Sequence, residues 1–366
     1  MSTRKTPLHE VHKSHGARMV EFAGWEMPLQ YQGALPEHQA VRTAAGVFDV
    51  SHMGEIEVEG PGAEAFLQKL TCNDVGSLSI GQAQYSALLY PTGTFVDDIV
   101  LYRFSETHYM LCVNAANRQK DLDWILGHLE GDTTVSDRSD AYVQLAVQGH
   151  NSPQLLAELA GQDLSGLRYY WFLRGTVGGH EAIISRTGYT GEPGYELYIS
   201  PRAAVAVWES LFETGGRHGL QPAGLAARNT LRLEMTYALY GNDISDRTTP
   251  LEASLAWIVK LDKGDFIGRE ALLSQRQTEV SRKLVGFEMT GRGVPRDHYP
   301  VFVSGRQTGE VTSGSYSPTL QRGIGLTYLP SDKGAPGQDL EIEIRGRKVQ
   351  AEIVETPFYQ KIRKDR

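Results

Sequence analysis

Cysteine is scarce: only Cys72 and Cys112 occur in 366 residues, with no CxxC spacing. That excludes a disulfide scaffold and a cysteine-rich zinc site, and reads as two small core side chains of a protein in a reducing compartment. No apolar run approaches the ~20 residues that cross a bilayer. The opening MSTRKTPLHEVH lacks the apolar centre of a signal peptide, so the expected location is the cytoplasm. Positive charge is not in surplus either. With 36 basic against 44 acidic residues the net charge is −8, which argues against a general nucleic-acid binder. The basic end YQKIRKDR reads as a solvated tail. Also missing are GxxxxGKS/T, an N-terminal GxGxxG, HExxH and GxSxG, so P-loop, dinucleotide, zinc-protease and serine-hydrolase readings lose their support.

What remains is ordinary globular material, 40% hydrophobic and 22% charged, enough for two or three domains. After an irregular opening, LPEHQAVRTAAG predicts a short helix with Pro36 in its first turn and Gly46 closing it. A strand (about 54–59), a helix (about 62–71), three strands (about 83–90, 94–104 and 108–114) and the helix NRQKDLDWILGHL follow. The same order then recurs: AYVQLAVQG, the helix SPQLLAELAG, the strands YYWFLRGTV, HEAIISR and YELYIS, and the helix RAAVAVWESLFETG. At an offset of 89 residues Gly60 aligns with Gly149, Leu67 with Leu156 and Leu70 with Leu159. The expectation is an α+β fold of two duplicated β-α-β-β-β-α units packed about a pseudo-two-fold axis. PAGLAARNTLRLEMTY predicts a further helix, and a mixed segment runs to about 280. Short alternating strands with turns about every 10 residues then indicate a C-terminal β-barrel domain over 281–366. Residues 1–280 are expected to form two interleaved α+β subdomains, about 47–137 and about 1–46 with 138–280.

The sharpest motif is PTGTFVDDIVLYR. Strand alternation sets Phe95, Asp97, Ile99 and Leu101 on one face and Val96, Asp98, Val100 and Tyr102 on the other. Both faces are apolar. A buried, unpaired carboxylate costs several kcal/mol or shifts its pKa upward, so one aspartate wants a partner or a ligand. The bland alternative has one carboxylate in solvent and the other on backbone N–H groups of a turn. In SRTGYTGEPGYELYIS, three glycines and a proline shape a turn before Glu196. A carboxylate there can accept two parallel N–H bonds from a planar amidine-like group, as in a pterin, or simply sit on a hairpin surface. Arg228 and Arg232 share a helix face, where intrahelical ion pairs are the common fate. His52, just before a strand, reads as a turn or packing residue.

These stretches together resemble the aminomethyltransferase family of the glycine cleavage system, the T-proteins. The resemblance runs from TPLHEVHKSHGARMVEFAGWEMPLQY through GVFDVSHMGEI, VDDIVLYR, VNAANRQKD, SRTGYTGEPGYEL, PAGLAARNTLRLE and LYGNDI. It continues through TPLEASLAWIVKLDKGDFIGREAL to TSGSYSPTL and PFY, in order and over essentially the full length. It implies three domains with tetrahydrofolate as co-substrate in a central channel, and lipoylated H-protein as the partner that delivers the aminomethyl group. Ammonia would be released and methylene-tetrahydrofolate formed. The family's essential aspartate falls on Asp98, and its folate contacts on Tyr85, Tyr102, Asn114, Tyr189, Glu196, Arg228 and Tyr237; no metal is implied. The resemblance also implies a bacterial cytoplasmic monomer without a presequence, since its signature begins at Thr6. Two positions depart: TGTFVDD lacks the usual GG, and Asn229 replaces an Asp beside Arg228. Alternatives are a folate-dependent demethylase of a small methylated substrate, here without the flavin domain of oxidases, and an iron–sulfur maintenance factor, whose cysteine motif is replaced by TGYTGEPGYE.

Overall fold

A computed structural model describes residues 3–360, and the basic tail from Lys361 lies outside them. The chain divides into two compact units. One takes the chain through Leu88 together with Val96–Arg228 and Asp262–Ile267. The other takes Leu89–Phe95, Asn229–Leu261 and the chain from Gly268 onward. Among the described residues, no helix is long and apolar enough to cross a membrane.

In the first unit the two motifs give two sheets with the same internal order. One runs Gln82–Leu89, Phe95–Arg103, His108–Val113, Gly54–Glu59, Thr134–Asp137; the other runs Phe172–Val177, His180–Ser185, Gly194–Ile199, Val143–Gln148, Ala45–Asp49, Leu220–Pro222. In each, the motif's first strand ends up beside its fourth. The strand that precedes each motif joins the sheet of the other: Ala45–Asp49 pairs antiparallel with Val143–Gln148, and Thr134–Asp137 pairs antiparallel with Gly54–Glu59.

The aligned glycines explain how that exchange is locked. Gly60 and Gly149 turn the chain from strand to helix at φ +120° and +126°, where a side chain is strained. A Cβ on Gly60 would stand 2.3 Å from the Asp132 carbonyl oxygen, and one on Gly149 2.6 Å from that of Ala44. Two residues on, the Gly62 N–H donates to Asp132 O at 3.0 Å and the Asn151 N–H to Ala44 O at 2.8 Å. Each exchanged strand is therefore held at its start by the other motif's corner. The helices Ala63–Leu70 and Ser152–Leu159 then bury Phe66, Leu67 and Leu70, and Leu155 and Leu156. Each such side chain contributes ~1.5–3 kcal/mol.

Several sequence expectations change. The opening is ordered as a helix, His9–Ser14, and a hairpin, Arg18–Phe22 with Trp25–Gln30. Its turn uses positive φ at both Ala23 and Gly24, a conformation that Ala does not advertise. The predicted 35–46 helix runs instead over Ala34–Thr43, because Ala45–Asp49 is taken into the six-stranded sheet between two strands. YYWFLRGTV starts its strand only at Phe172. A helix, Arg269–Thr278, lies within the segment read as mixed.

The second unit holds a closed six-stranded barrel: Arg282–Met289, Arg322–Pro330, Arg306–Ser317, Pro300–Val303, Asp339–Ile344 and Arg347–Val354, closing on the first. Alternation points Leu340 and Ile342, and Ala351 and Ile353, into its core with Phe287, Val301 and Val311. Closure removes the free edges that such short strands would expose.

Candidate active site

The pleat of Phe95–Arg103 separates the two aspartates. Asp97 is fully buried, while Asp98 keeps partial exposure on the opposite face. Asp97 accepts the Asn114 backbone N–H at 3.0 Å, Asn114 Nδ2 at 2.8 Å and Asn117 Nδ2 at 2.6 Å. That is the turn-capping fate considered for one of the pair. Asp98 differs. Its Oδ2 accepts the Tyr85 hydroxyl at 2.8 Å, and its Oδ1 accepts Asn114 Nδ2 at 2.8 Å. Asn114 thus bridges both carboxylates with one amide. Burial, and then the Asp97 charge, push the Asp98 carboxyl up to about 7 against the hydrogen bonds it receives. Burial and the Asp98 charge raise the Tyr85 phenol well above its ordinary range, so Tyr85 remains a donor. Near neutrality Asp98 can therefore exist in both protonation states, the condition that general acid–base work wants.

Glu196 forms a second centre on Gly194–Ile199. Its Oε2 accepts the Thr187 hydroxyl at 2.5 Å and its Oε1 accepts Gln144 Nε2 at 3.1 Å. Burial raises its carboxyl, opposed first by the Thr187 bond and then by the Arg228 charge. The glycine-rich loop that carries Thr187 and Tyr189 is shaped by Gln148. A Cβ at Gly188 or Gly194 would collide with that side chain, whose Nε2 donates to Thr187 O at 3.2 Å. Arg42 clamps the far side of the loop, donating to Thr190 O at 2.7 Å and Glu192 Oε1 at 3.1 Å.

Arg228 projects from helix Leu225–Glu234, and its guanidinium lies 4.7 Å from the Tyr189 ring centroid. The buried His52 ring stands edge-on to Phe22. Burial, and then the Arg228 charge, bring His52 down to about 4, so it is neutral and adds no second cation beside Arg228. The Tyr102 hydroxyl, fully buried, bonds to that of Tyr198 at 2.9 Å and reaches Thr187 at 3.5 Å.

Seven of the expected residues belong to this one unit. Tyr85 bonds to Asp98; Tyr189 lies beneath Arg228; Arg228 acts on Glu196; Thr187 links Glu196 to Tyr102. Tyr237 belongs to the other unit, where its carbonyl accepts Arg232 Nη1 at 3.1 Å. Arg232 itself is 2% exposed and paired with Asp243 at 2.6 Å. Asn229 accepts Arg232 Nε at 2.9 Å, so the missing charge at 229 falls on an arginine that already has its carboxylate.

Tyr170 escaped the sequence reading. It sits at φ +62°, pinned by Ala83 N–H to its carbonyl at 2.8 Å and by its own N–H to Arg186 O at 3.0 Å, and it acts on Tyr85 electrostatically. Gln144, Thr187 and Tyr198 were missed as well; strand parity with Glu196 marks only Tyr198. As for metals, one trio among the described residues, Glu57, Glu59 and His108, brings its donor atoms within 4.8 Å of one another. Its histidine already faces the two carboxylates at 3.7 and 4.0 Å.

Residues 8–263 match the GCVT N-terminal domain family, and residues 282–360 match the glycine cleavage T-protein C-terminal barrel domain. The chain belongs to the glycine cleavage T-protein family. The aminomethyltransferase of Halothermothrix orenii is 51% identical over 97% of this chain and 99% of its own length. That of Desulfitobacterium hafniense is 47% identical over 98% of each. The crystal structure of the glycine cleavage system aminomethyltransferase T from Bartonella henselae superposes with a TM-score of 0.92 at 36% identity, covering 98% of both chains. As a T-protein the chain is a transferase, and its α+β region followed by a closed barrel is the family's architecture.

Proposed function

We propose that this T-protein transfers the one-carbon unit of aminomethyl-lipoyl H-protein to tetrahydrofolate and releases ammonia, with Asp98 as the catalytic carboxylate. The observation that carries the reading is Asp98 itself: a carboxylate held between a phenol and an amide, with a proton affinity brought close to neutrality.

The donor set fits a reduced folate. Thr187 and Gln144 take one lone pair from each Glu196 oxygen, which leaves one on each for the paired N–H groups of a pteridine edge. When bound, the folate supplies a weakly nucleophilic nitrogen on which positive charge develops as the methylene carbon is captured. Ionised Asp98 stabilises that charge and can take the proton, while Tyr85 and Asn114 stop the carboxylate from rotating away. Arg228 holds Glu196 toward its anionic form. Tyr102 acts from behind, through Thr187 and Tyr198. We assign Tyr189 and Tyr237 to folate contact on family resemblance. The two cysteines, both buried, support action in a reducing compartment, the cytoplasm.

The test is ammonia release with lipoylated, aminomethylated H-protein and tetrahydrofolate, omitting each in turn. Release that requires both supports the proposal. Folate binding without release would favour a maintenance factor. Methyl transfer from a small methylated substrate to tetrahydrofolate without H-protein would favour a demethylase.

A further inference from the structure

Behind the Asp98 site lies a third acid with an unusual environment. Asp121, on helix Arg118–Gly127, is fully buried, and among the described residues neither of its carboxyl oxygens receives a hydrogen from any donor. A buried carboxylate without donors is among the costliest groups a fold can carry. Its adjacent lysine does not bond to it, although its charge acts against the burial: Lys120 Nζ donates to Val96 O at 2.6 Å. The charge that acts most strongly on Asp121 is that of another acid, Asp97; the Asp121 N–H donates to Asn117 O at 2.8 Å, and Asn117 Nδ2 donates to Asp97 at 2.6 Å.

Two carboxyl groups can bond to each other only when one holds a proton. The donors decide which. Asp97 accepts three N–H hydrogens, from the Asn114 backbone, the Asn114 amide and the Asn117 amide, an arrangement suited to an anion. Asp121 accepts none. We propose that Asp121 is a positioning residue, a protonated acid that donates to Asp97, keeps Asp97 anionic, and so sets through Asn114 both the placement and the basicity of Asp98. The proposed chain runs from Asp121 to Asp97, from Asp97 to Asn114, and from Asn114 to Asp98. Burial first, then the Asp97 charge, push the Asp121 acid up to about 11. The groups facing Asp98 are Tyr85 from the neighbouring strand, Asn114 from the turn after His108–Val113, and Asp97 beside it, with Asp121 behind; Lys120 faces Asp121.

The catalytic arm of this proposal rests on the transfer reading; the protonation arm does not. Infrared spectra of the full chain with isotope-labelled aspartate at about pH 9, above the ordinary carboxyl range, should show the carbonyl band of a protonated acid, lost in Asp121→Asn. That variant can still donate to Asp97, so its turnover should stay within about threefold of the parent, with the same acid limb in its pH profile. Asp121→Ala removes the donor. Asp97 then takes up a proton, the like charge facing Asp98 disappears, and the acid limb moves lower by about 1 pH unit or more while KM for tetrahydrofolate holds. A structural residue would change stability and amplitude without moving the limb. Absence of the acid band in the parent, its persistence in Asp121→Asn, or an unmoved limb in Asp121→Ala overturns the proposal. If no transfer occurs at any pH, the function reading fails and the infrared result alone still decides whether Asp121 holds the proton.

Discussion

Replacing Asp98 with asparagine separates its chemistry from its place in the fold. The amide oxygen can still accept from Asn114, and the amide nitrogen can donate to the Tyr85 oxygen, so both present contacts have a substitute. What is lost is a group that ionises. Acid–base contributions of that kind are worth ~10²–10⁴-fold, so transfer should fall by at least 10²-fold while folate affinity stays within about tenfold. Stability should move the other way. Asp98 binds its proton at about 7 in the fold, against an ordinary value of 3.8. Between those values the folded chain holds a proton that the unfolded chain has released, so the contribution of Asp98 to stability falls as pH rises and levels off above 7. The full penalty is ~4 kcal/mol at most, reduced by the solvent access that Asp98 keeps. Asp98→Asn should therefore be more resistant to urea than the parent at pH 8, and the gap should close toward pH 4. Paired urea titrations and ammonia-release assays on the two proteins measure both effects. A variant with parental activity, or one destabilised equally at both pH values, would refute the reasoning.

Removing the Glu196 carboxylate by Glu196→Ala should weaken folate binding by the ~1.5–3 kcal/mol of one charge-assisted bond or more, about 10- to 150-fold in Kd by fluorescence titration. Gly149→Ala meets the Ala44 and Val41 carbonyl oxygens at 2.6 and 2.7 Å at a positive φ, and Gly60→Ala meets Asp132. Each should cost more than the ~1 kcal/mol of an unobstructed glycine position, read as a lower urea midpoint. Breaking the buried Arg232–Asp243 pair in the second unit by Asp243→Ala should destabilise by ~3–5 kcal/mol through the uncompensated arginine; calorimetry on the full chain measures it.

Strand parity alone put Asp97 and Asp98 on opposite faces, and beyond the Asn114 amide they share, the structure gives Asp97 Asn117 and Asp98 Tyr85 for that reason. The same period marks the barrel's inward residues, and the repeat at 89 residues already pointed to two equivalent corner glycines. These features are local: a period of two, a turn that needs glycine, an apolar stripe on a short helix. The opening hairpin was less legible because Ala23 adopts a conformation its side chain does not favour. Tyr170 was hidden within an apparent strand for the same reason, its left-handed backbone being imposed by Ala83 and Arg186. The departure at Asn229 looked consequential beside Arg228, yet its amide serves Arg232.

Composition, periodicity and motif order determined the classes of element, the repeated unit, the barrel and the family resemblance, since each follows from neighbours along the chain. The exchange of strands between sheets was decided by pairings such as Gln148 with Gly46 and Ile56 with Asp137, far apart along the chain, which no local pattern encodes. Tertiary packing also decided the protonation of the acids. Nothing along the chain sets Asp121 apart from other helix carboxylates; its burial against Asp97, with no hydrogen-bond donor to it among the described residues, is what marks it as the acid proposed to keep its proton.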